Sequence, residues 1–278
     1  MLTKVKQLFF HKIGGFALSQ TSPIIIYVYT TLTVVALYGN YMLIVMGVQT
    51  LMTAMFNSMN AGIGNLVAEG DKRKIMSVFA ELFSIRFLFS CIMCFGVLMI
   101  TPAFVSFWIG KKYVMDSLSL LLMTAILFVN LSRTTVDAYI NAYGLFGDIW
   151  APIVEASLNV GLSIILGYYF GLHGVLSGVL ISLLLVVFCW KPYYLFRKGL
   201  DERLSIYIFM YARHLMAALL CGVIVCLGMR YSMVQGDTTF FDGLLGILVF
   251  SILSTLTLLC VAPGMRNLMR RFIRMCHV

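Results

Sequence analysis

Apolar runs of about 20 residues recur along the whole chain, and a run of that length crosses the hydrocarbon core of a bilayer as one α-helix. The alternating pattern of a membrane β-barrel is absent from the sequence. Hydrophobic residues make up 61% of the chain and charged residues only 11%, which excludes an ordinary soluble domain. The sequence therefore predicts an all-α polytopic membrane protein.

Hydropathy predicts eight transmembrane helices, joined for the most part by short turns. Residues 1–196 are expected to form a six-helix lobe, and residues 197–278 two further transmembrane helices and a basic cytoplasmic tail. Gly174 and Gly178 have the spacing that lets helices pack closely. The predicted helices lie near residues 13–32, 36–60, 75–100, 117–141, 150–170, 174–196, 207–229 and 242–262.

Lysine and arginine crowd the loops on one side of the predicted membrane, and we count Lys191 among these loop charges. The other side holds only Lys111, Lys112 and Arg230, so both termini are expected to be cytoplasmic. This topology and attraction to anionic lipid headgroups explain most of the net charge of +9, and no nucleic-acid partner is expected.

The sequence offers little of what an enzyme needs. It contains no phosphate-binding loop and no paired carboxylate motif, and its loops are short. Cys91 and Cys94 have the spacing of half a zinc site, but without a second pair they are interpreted as small apolar fillers. We expect no catalytic residue, no cofactor and no metal.

Charged residues inside the predicted spans are the main candidates for a site, because each costs roughly 3 kcal/mol at the bilayer centre. Asn130, Arg133 and Asp137 share one face of the fourth span. They either line a cavity or join helices through an i, i+4 pair. Near a cytoplasmic helix end, Arg213 and His214 are expected to extend to the interface.

Three other spans carry polar residues for which two roles stay open. Glu155 and Asn159 on the fifth span form either a helix cap or a cation or entry site. Gln49 and Asn57 on the second span suit hydroxyl-rich ligands or helix-to-helix hydrogen bonds. Arg86, deep in the third span, needs water, a ligand or a partner on another helix.

Several short motifs, taken in order, resemble the Wzx-type polysaccharide flippases of the multidrug/oligosaccharidyl-lipid/polysaccharide exporter superfamily. The resemblance covers nearly the whole chain and is densest in its middle. The motifs there are Arg133-Thr-Thr-Val-Asp-Ala-Tyr139, Asn141-Ala-Tyr-Gly-Leu-Phe-Gly-Asp148, Pro152-Ile-Val-Glu-Ala-Ser-Leu-Asn159 and Gly171-Leu-His-Gly-Val-Leu-Ser-Gly178.

The resemblance implies transport of an undecaprenyl-diphosphate-linked sugar repeat across the bacterial inner membrane for O-antigen or capsule assembly. By position, Arg133 and Arg86 would be cavity cations facing the pyrophosphate or acidic sugars, with Asp137 tuning Arg133. Gln49 and Asn57 on the second span and Asn130 on the fourth would meet the sugar hydroxyls, an assignment that follows from their polar helix faces. The expected partners are this lipid-linked oligosaccharide and membrane lipids.

Relatives in this superfamily have two lobes around a central cavity, and this chain aligns only with the second lobe and the helices after it. It is therefore expected to be a truncated or partial flippase, or to pair with a first-lobe partner or polysaccharide assembly proteins. An antiporter-type exporter of the same superfamily is one alternative. A polysaccharide polymerase or ligase is another, though the loop near residues 230–241 is short for it.

Overall fold

The computed structural model describes residues 21–148, 150–233 and 240–276, and no strand occurs among them. The all-α polytopic class is confirmed. Residues 21–29 are helical. The helices that follow are α1 (Leu32–Glu69), α2 (Lys72–Trp108), α3 (Ser117–Ser132), α4 (Thr134–Tyr143), α5 (Trp150–Leu183), α6 (Lys191–Leu195), α7 (Leu204–Met233), α8 (Phe240–Val261) and α9 (Pro263–Cys276). Two π-helical segments, Leu184–Trp190 and Phe196–Leu200, flank α6.

Six helices in the described residues are long and apolar enough to cross a membrane, rather than the eight predicted. Residues 13–20 of the predicted first span, 13–32, lie outside the described residues. The predicted fifth and sixth spans fall in one continuous stretch, Trp150–Leu200. This stretch is interrupted at Gly171, whose φ of 55° is a conformation that glycine adopts without strain.

The helices form two compact units. The first contains the described residues up to 64 together with residues 115–201, and the second contains residues 65–114 together with those from 202 onward. This division differs from the predicted one, since α2 was expected in the lobe 1–196 but packs with α8 and α9. A stacked pair of rings with centroids 4.3 Å apart, Phe95 on α2 and Phe250 on α8, belongs to that packing.

Within the first unit, α5 folds back on itself. Ser163 Oγ donates to the Val175 carbonyl at 3.3 Å, and Asn159 Nδ2 donates to Ser182 Oγ at 3.3 Å, so the two arms run antiparallel. A Cβ added at Gly178 would lie 2.5 Å from the Ser163 backbone nitrogen. The close-packing role predicted for Gly178 is confirmed, and this packing places Asn159 in the interior.

Within the second unit, α9 packs against α2. A Cβ added at Gly264 would lie 2.3 Å from the Ala80 carbonyl oxygen, so the start of α9 touches the backbone of α2. Farther along, Arg271 forms an ion pair with Glu81 at 3.3 Å. Buried Met265 on α9 joins the apolar core of this unit. The amphipathic last helix is therefore anchored by close packing and by one ion pair.

Candidate functional site

A cavity of about 260 Å³ lies within the first unit, between α1, α3 and α5. Its walls are mostly methionine and aliphatic side chains, and a few polar groups point to it. Five of the eight predicted site residues line it, although they come from widely separated parts of the sequence. These residues are Gln49, Asn130, Arg133, Glu155 and Asn159.

Arg133 is the cation of this cavity and belongs to a three-residue ion-pair group. Its Nε lies 3.3 Å from Asp137 Oδ2, which is the i, i+4 contact that the sequence indicated. The other carboxylate oxygen of Asp137 accepts from Lys191 Nζ at 3.0 Å. One carboxylate therefore bridges two cations, and each of the three side chains is less than one-third exposed.

Lys191 is the member that the sequence analysis missed, because it was counted with the loop charges. In the structure it is the first residue of α6 and only 19% exposed. π-helical turns precede and follow α6, and the widened backbone accommodates Pro192, which cannot donate an amide hydrogen bond. Its position inside the predicted span 174–196 was the signal that could have identified it.

Glu155 and Asn159 are the most deeply buried polar residues of the cavity wall, at 6% and 3% exposure. Asn159 donates through Nδ2 to Ser182, but its Oδ1 has no hydrogen-bond partner among the described residues. Glu155 forms no hydrogen bond or ion pair with any residue that the structure describes, although Arg133 and Lys191 attract it electrostatically. Both groups therefore have hydrogen-bonding capacity left for a ligand, a cation or a proton.

Two predicted site residues lie elsewhere. Asn57, on α1, is exposed, and its side chain accepts a hydrogen bond from Asn60 at 3.4 Å. Arg86 is only 2% exposed but belongs to α2 in the second unit. Neither lines the cavity described above.

His214 corrects another expectation. It is fully buried instead of extending to the interface, because Ser84 lies 2.9 Å from its Nε2 and the Met210 carbonyl lies 2.6 Å from its Nδ1. Both partners belong to the second unit. His214 is therefore part of the core packing between α2 and α7.

The basic and acidic residues in and beside the cavity are equal in number. Arg133 and Lys191 are basic and Asp137 and Glu155 are acidic, and Asp137 already pairs with Arg133, so an anion must compete with an internal carboxylate for Arg133. Such an exchange is feasible because Asp137 can keep Lys191 as its partner while the guanidinium turns to a phosphate. The amides of Gln49 and Asn159 suit hydroxyl groups.

In the part of the chain that the structure describes, no cluster of three His, Cys, Asp or Glu residues has the arrangement of a metal site. No protein-family model, curated protein or solved structure matches this chain. The chemistry of the cavity and the motif resemblance are therefore the support for a function.

Proposed function

We propose that this protein binds an undecaprenyl-diphosphate-linked oligosaccharide and takes part in moving it across the bacterial inner membrane. The observation that carries the proposal is the single cavity in which Arg133, Gln49, Asn130 and Asn159 meet. Such a cavity combines one exchangeable cation with amide groups and apolar walls. A lipid diphosphate bearing sugars presents the matching anion, hydroxyls and hydrocarbon.

The proposed roles follow from the ion-pair group. Arg133 takes the diphosphate, since a guanidinium donates two parallel hydrogen bonds to phosphate oxygens. Lys191 then neutralises Asp137, which would otherwise repel the ligand. Asn159 offers its unpartnered Oδ1 to a sugar hydroxyl. Glu155 is the group that would take up a proton or a cation when the ligand's charge enters or leaves.

Binding of an undecaprenyl-diphosphate oligosaccharide to the purified chain tests the first step. Arg133→Gln is expected to weaken it about tenfold or more, because a charged hydrogen bond contributes about 1.5–3 kcal/mol. In a flippase-deficient bacterium that displays surface glycan through this protein, the same substitution is expected to abolish the display. Membrane levels of the variant should equal those of the wild type.

Arg197→Gln is the matched control. It removes the same charge from an exposed side chain on the neighbouring π-helical segment, where Arg197 contacts the ring and hydroxyl of Tyr193. Binding and display are expected to be unchanged. Equal affinity of the Arg133→Gln variant and the wild type would contradict the binding role, and glycan display by that variant would contradict the transport role.

A further inference from the structure

A second cavity lies within the second unit, where the starts of α2 and α9 meet α7. It measures about 740 Å³ and is lined by three cations and one carboxylate, Lys72, Arg73, Arg213 and Glu202. Lys72 is the first residue of a helix that is long and apolar enough to cross a membrane, which favours a position of this cavity near a membrane boundary. Unlike the first cavity, it has an excess of positive charge.

Arg213 is the residue that most clearly lacks an acceptor. Its Nε is buried and has no hydrogen-bond partner among the described residues. Arg266, on α9, is close enough to repel it electrostatically. An anion placed in this cavity would give Nε an acceptor and would offset the repulsion between the two guanidinium groups.

The remaining wall is apolar and continues onto an exposed apolar surface. Met76, Ile206 and Phe209 line the cavity beside the cations, and the side chain of Phe209 is 76% exposed. α9, which supplies Pro263 and Asn267 to the cavity, is a basic amphipathic helix of the kind that lies in the headgroup layer. A free phosphate would make no use of this apolar wall.

We propose that this cavity binds the phosphate headgroup of an anionic phospholipid. Arg213 and Lys72 hold the phosphate oxygens, and the acyl chains lie against Phe209 and its apolar neighbours. Basic pockets between membrane helices recognise anionic lipids in this way. The site is separate from the proposed transport cavity, because all of its lining residues belong to the second unit.

The lipid site can be tested by native mass spectrometry of the full chain, released from micelles that contain phosphatidylglycerol or phosphatidylcholine. We expect phosphatidylglycerol to be retained in preference to phosphatidylcholine. Lys72→Gln combined with Arg213→Gln should weaken its retention by about fivefold for each charge removed. Arg270→Gln removes one charge from an exposed position of α9 outside the cavity, and it should change retention by less than about twofold.

If the double variant does not fold, Lys72→Gln alone tests the site. Lys72 is exposed at the start of a helix, and its substitution should still weaken phosphatidylglycerol retention by about fivefold. Retention that falls equally in Arg270→Gln, or that does not fall in Lys72→Gln, would overturn the site. Millimolar inorganic phosphate should leave the lipid bound. Displacement of phosphatidylglycerol by inorganic phosphate alone would show a free-phosphate site and overturn the lipid assignment.

Discussion

The two cavities differ in how their charges are satisfied. In the first unit, Arg133 and Lys191 share the carboxylate of Asp137, and all three side chains are mostly buried. In the second unit, three cations face one exposed carboxylate, Glu202, at the start of a membrane span. The smaller cavity is charge-balanced, whereas the larger one is cationic.

The exposure of the cations differs between the two cavities: the side chains of Arg133 and Lys191 are less than one-third exposed, whereas Lys72 and Arg73 are exposed. An unpaired charge inside the hydrocarbon core is costly, so a buried cation must carry its own carboxylate until a ligand replaces it. An exposed cation such as Arg73 can be solvated by water or headgroups and needs no such partner, whereas the buried Nε of Arg213 still lacks an acceptor among the described residues. Under the two proposals, ligand binding would exchange the partner of Arg133 in the first unit and would give Arg213 Nε an acceptor in the second.

The largest effect is expected from glycines that hold each cavity's helices together. Gly178→Ala would place a Cβ 2.5 Å from the Ser163 nitrogen, and Gly264→Ala would place one 2.3 Å from the Ala80 oxygen. Each should cost about 1–3 kcal/mol because backbone must move. If the cavities are independent, Gly178→Ala lowers oligosaccharide-lipid binding and Gly264→Ala lowers phosphatidylglycerol retention, as measured on the purified variants.

Glycine-to-alanine substitutions at two uncrowded positions control for the loss of backbone flexibility. Gly161, on the same helix as Gly178, has nothing within 4 Å of an added Cβ, and Gly222, on α7, has only the Phe250 ring at 3.8 Å. Both alanine variants should bind as the wild type does. Loss of both ligands in either Gly178→Ala or Gly264→Ala would show that the two cavities do not act separately.

A smaller effect, of opposite sign for stability and binding, is expected at Asn159. Asn159→Leu removes a buried amide oxygen that has no partner in the described residues. The free energy of unfolding should therefore rise by about 1 kcal/mol. Oligosaccharide-lipid binding should fall, and phosphatidylglycerol retention should not change. Thermal unfolding followed by both binding assays checks this.

Ser182→Ala is the control for that substitution, because it removes the hydroxyl that accepts from Asn159 while leaving the amide in place. It should lower stability slightly. A less stable Asn159→Leu variant that keeps full binding would mean that the amide serves packing alone.

Local patterns were predictable from the sequence, and tertiary pairings were not. The i, i+4 contact of Arg133 with Asp137 and the close approach at Gly178 depend on helical periodicity, which the sequence displays directly. The second cation of the ion-pair group could not be found this way, since Lys191 is 54 residues from Asp137. Counting basic residues for topology also assigned it to a loop.

The same limit applies to the second unit. His214 was expected to extend to the interface, but Ser84, 130 residues away, gives its ring a buried partner. The grouping of α2 with α8 and α9 depends on contacts such as Phe95 with Phe250. Apolar spans resemble one another in sequence, so hydropathy locates helices without saying which of them pack together.

The smallest effect is expected at Asp116, a charge outside both cavities. It caps α3 by accepting from the Ser119 N–H at 3.0 Å and lies 2.8 Å from His173 Nε2. Partial burial raises its pKa, but the hydrogen bonds from Ser119 and His173 outweigh this and lower it to about 2. Since the folded-state pKa is below the ordinary value, the stabilisation is complete above about pH 4 and is lost as pH falls toward 2.

Asp116→Asn keeps an N-cap oxygen and removes the charge, so its cost at pH 7 should be less than about 1 kcal/mol for a half-exposed pair. The difference in melting temperature from the wild type should shrink as the pH falls from 4 and disappear below about pH 2. Neither ligand should bind differently at pH 7, because Asp116 lines neither cavity. A loss of either ligand would mean that this exposed pair is coupled to a cavity. A difference in melting temperature that persists well below pH 2 would mean that the charge of Asp116 is not its cause.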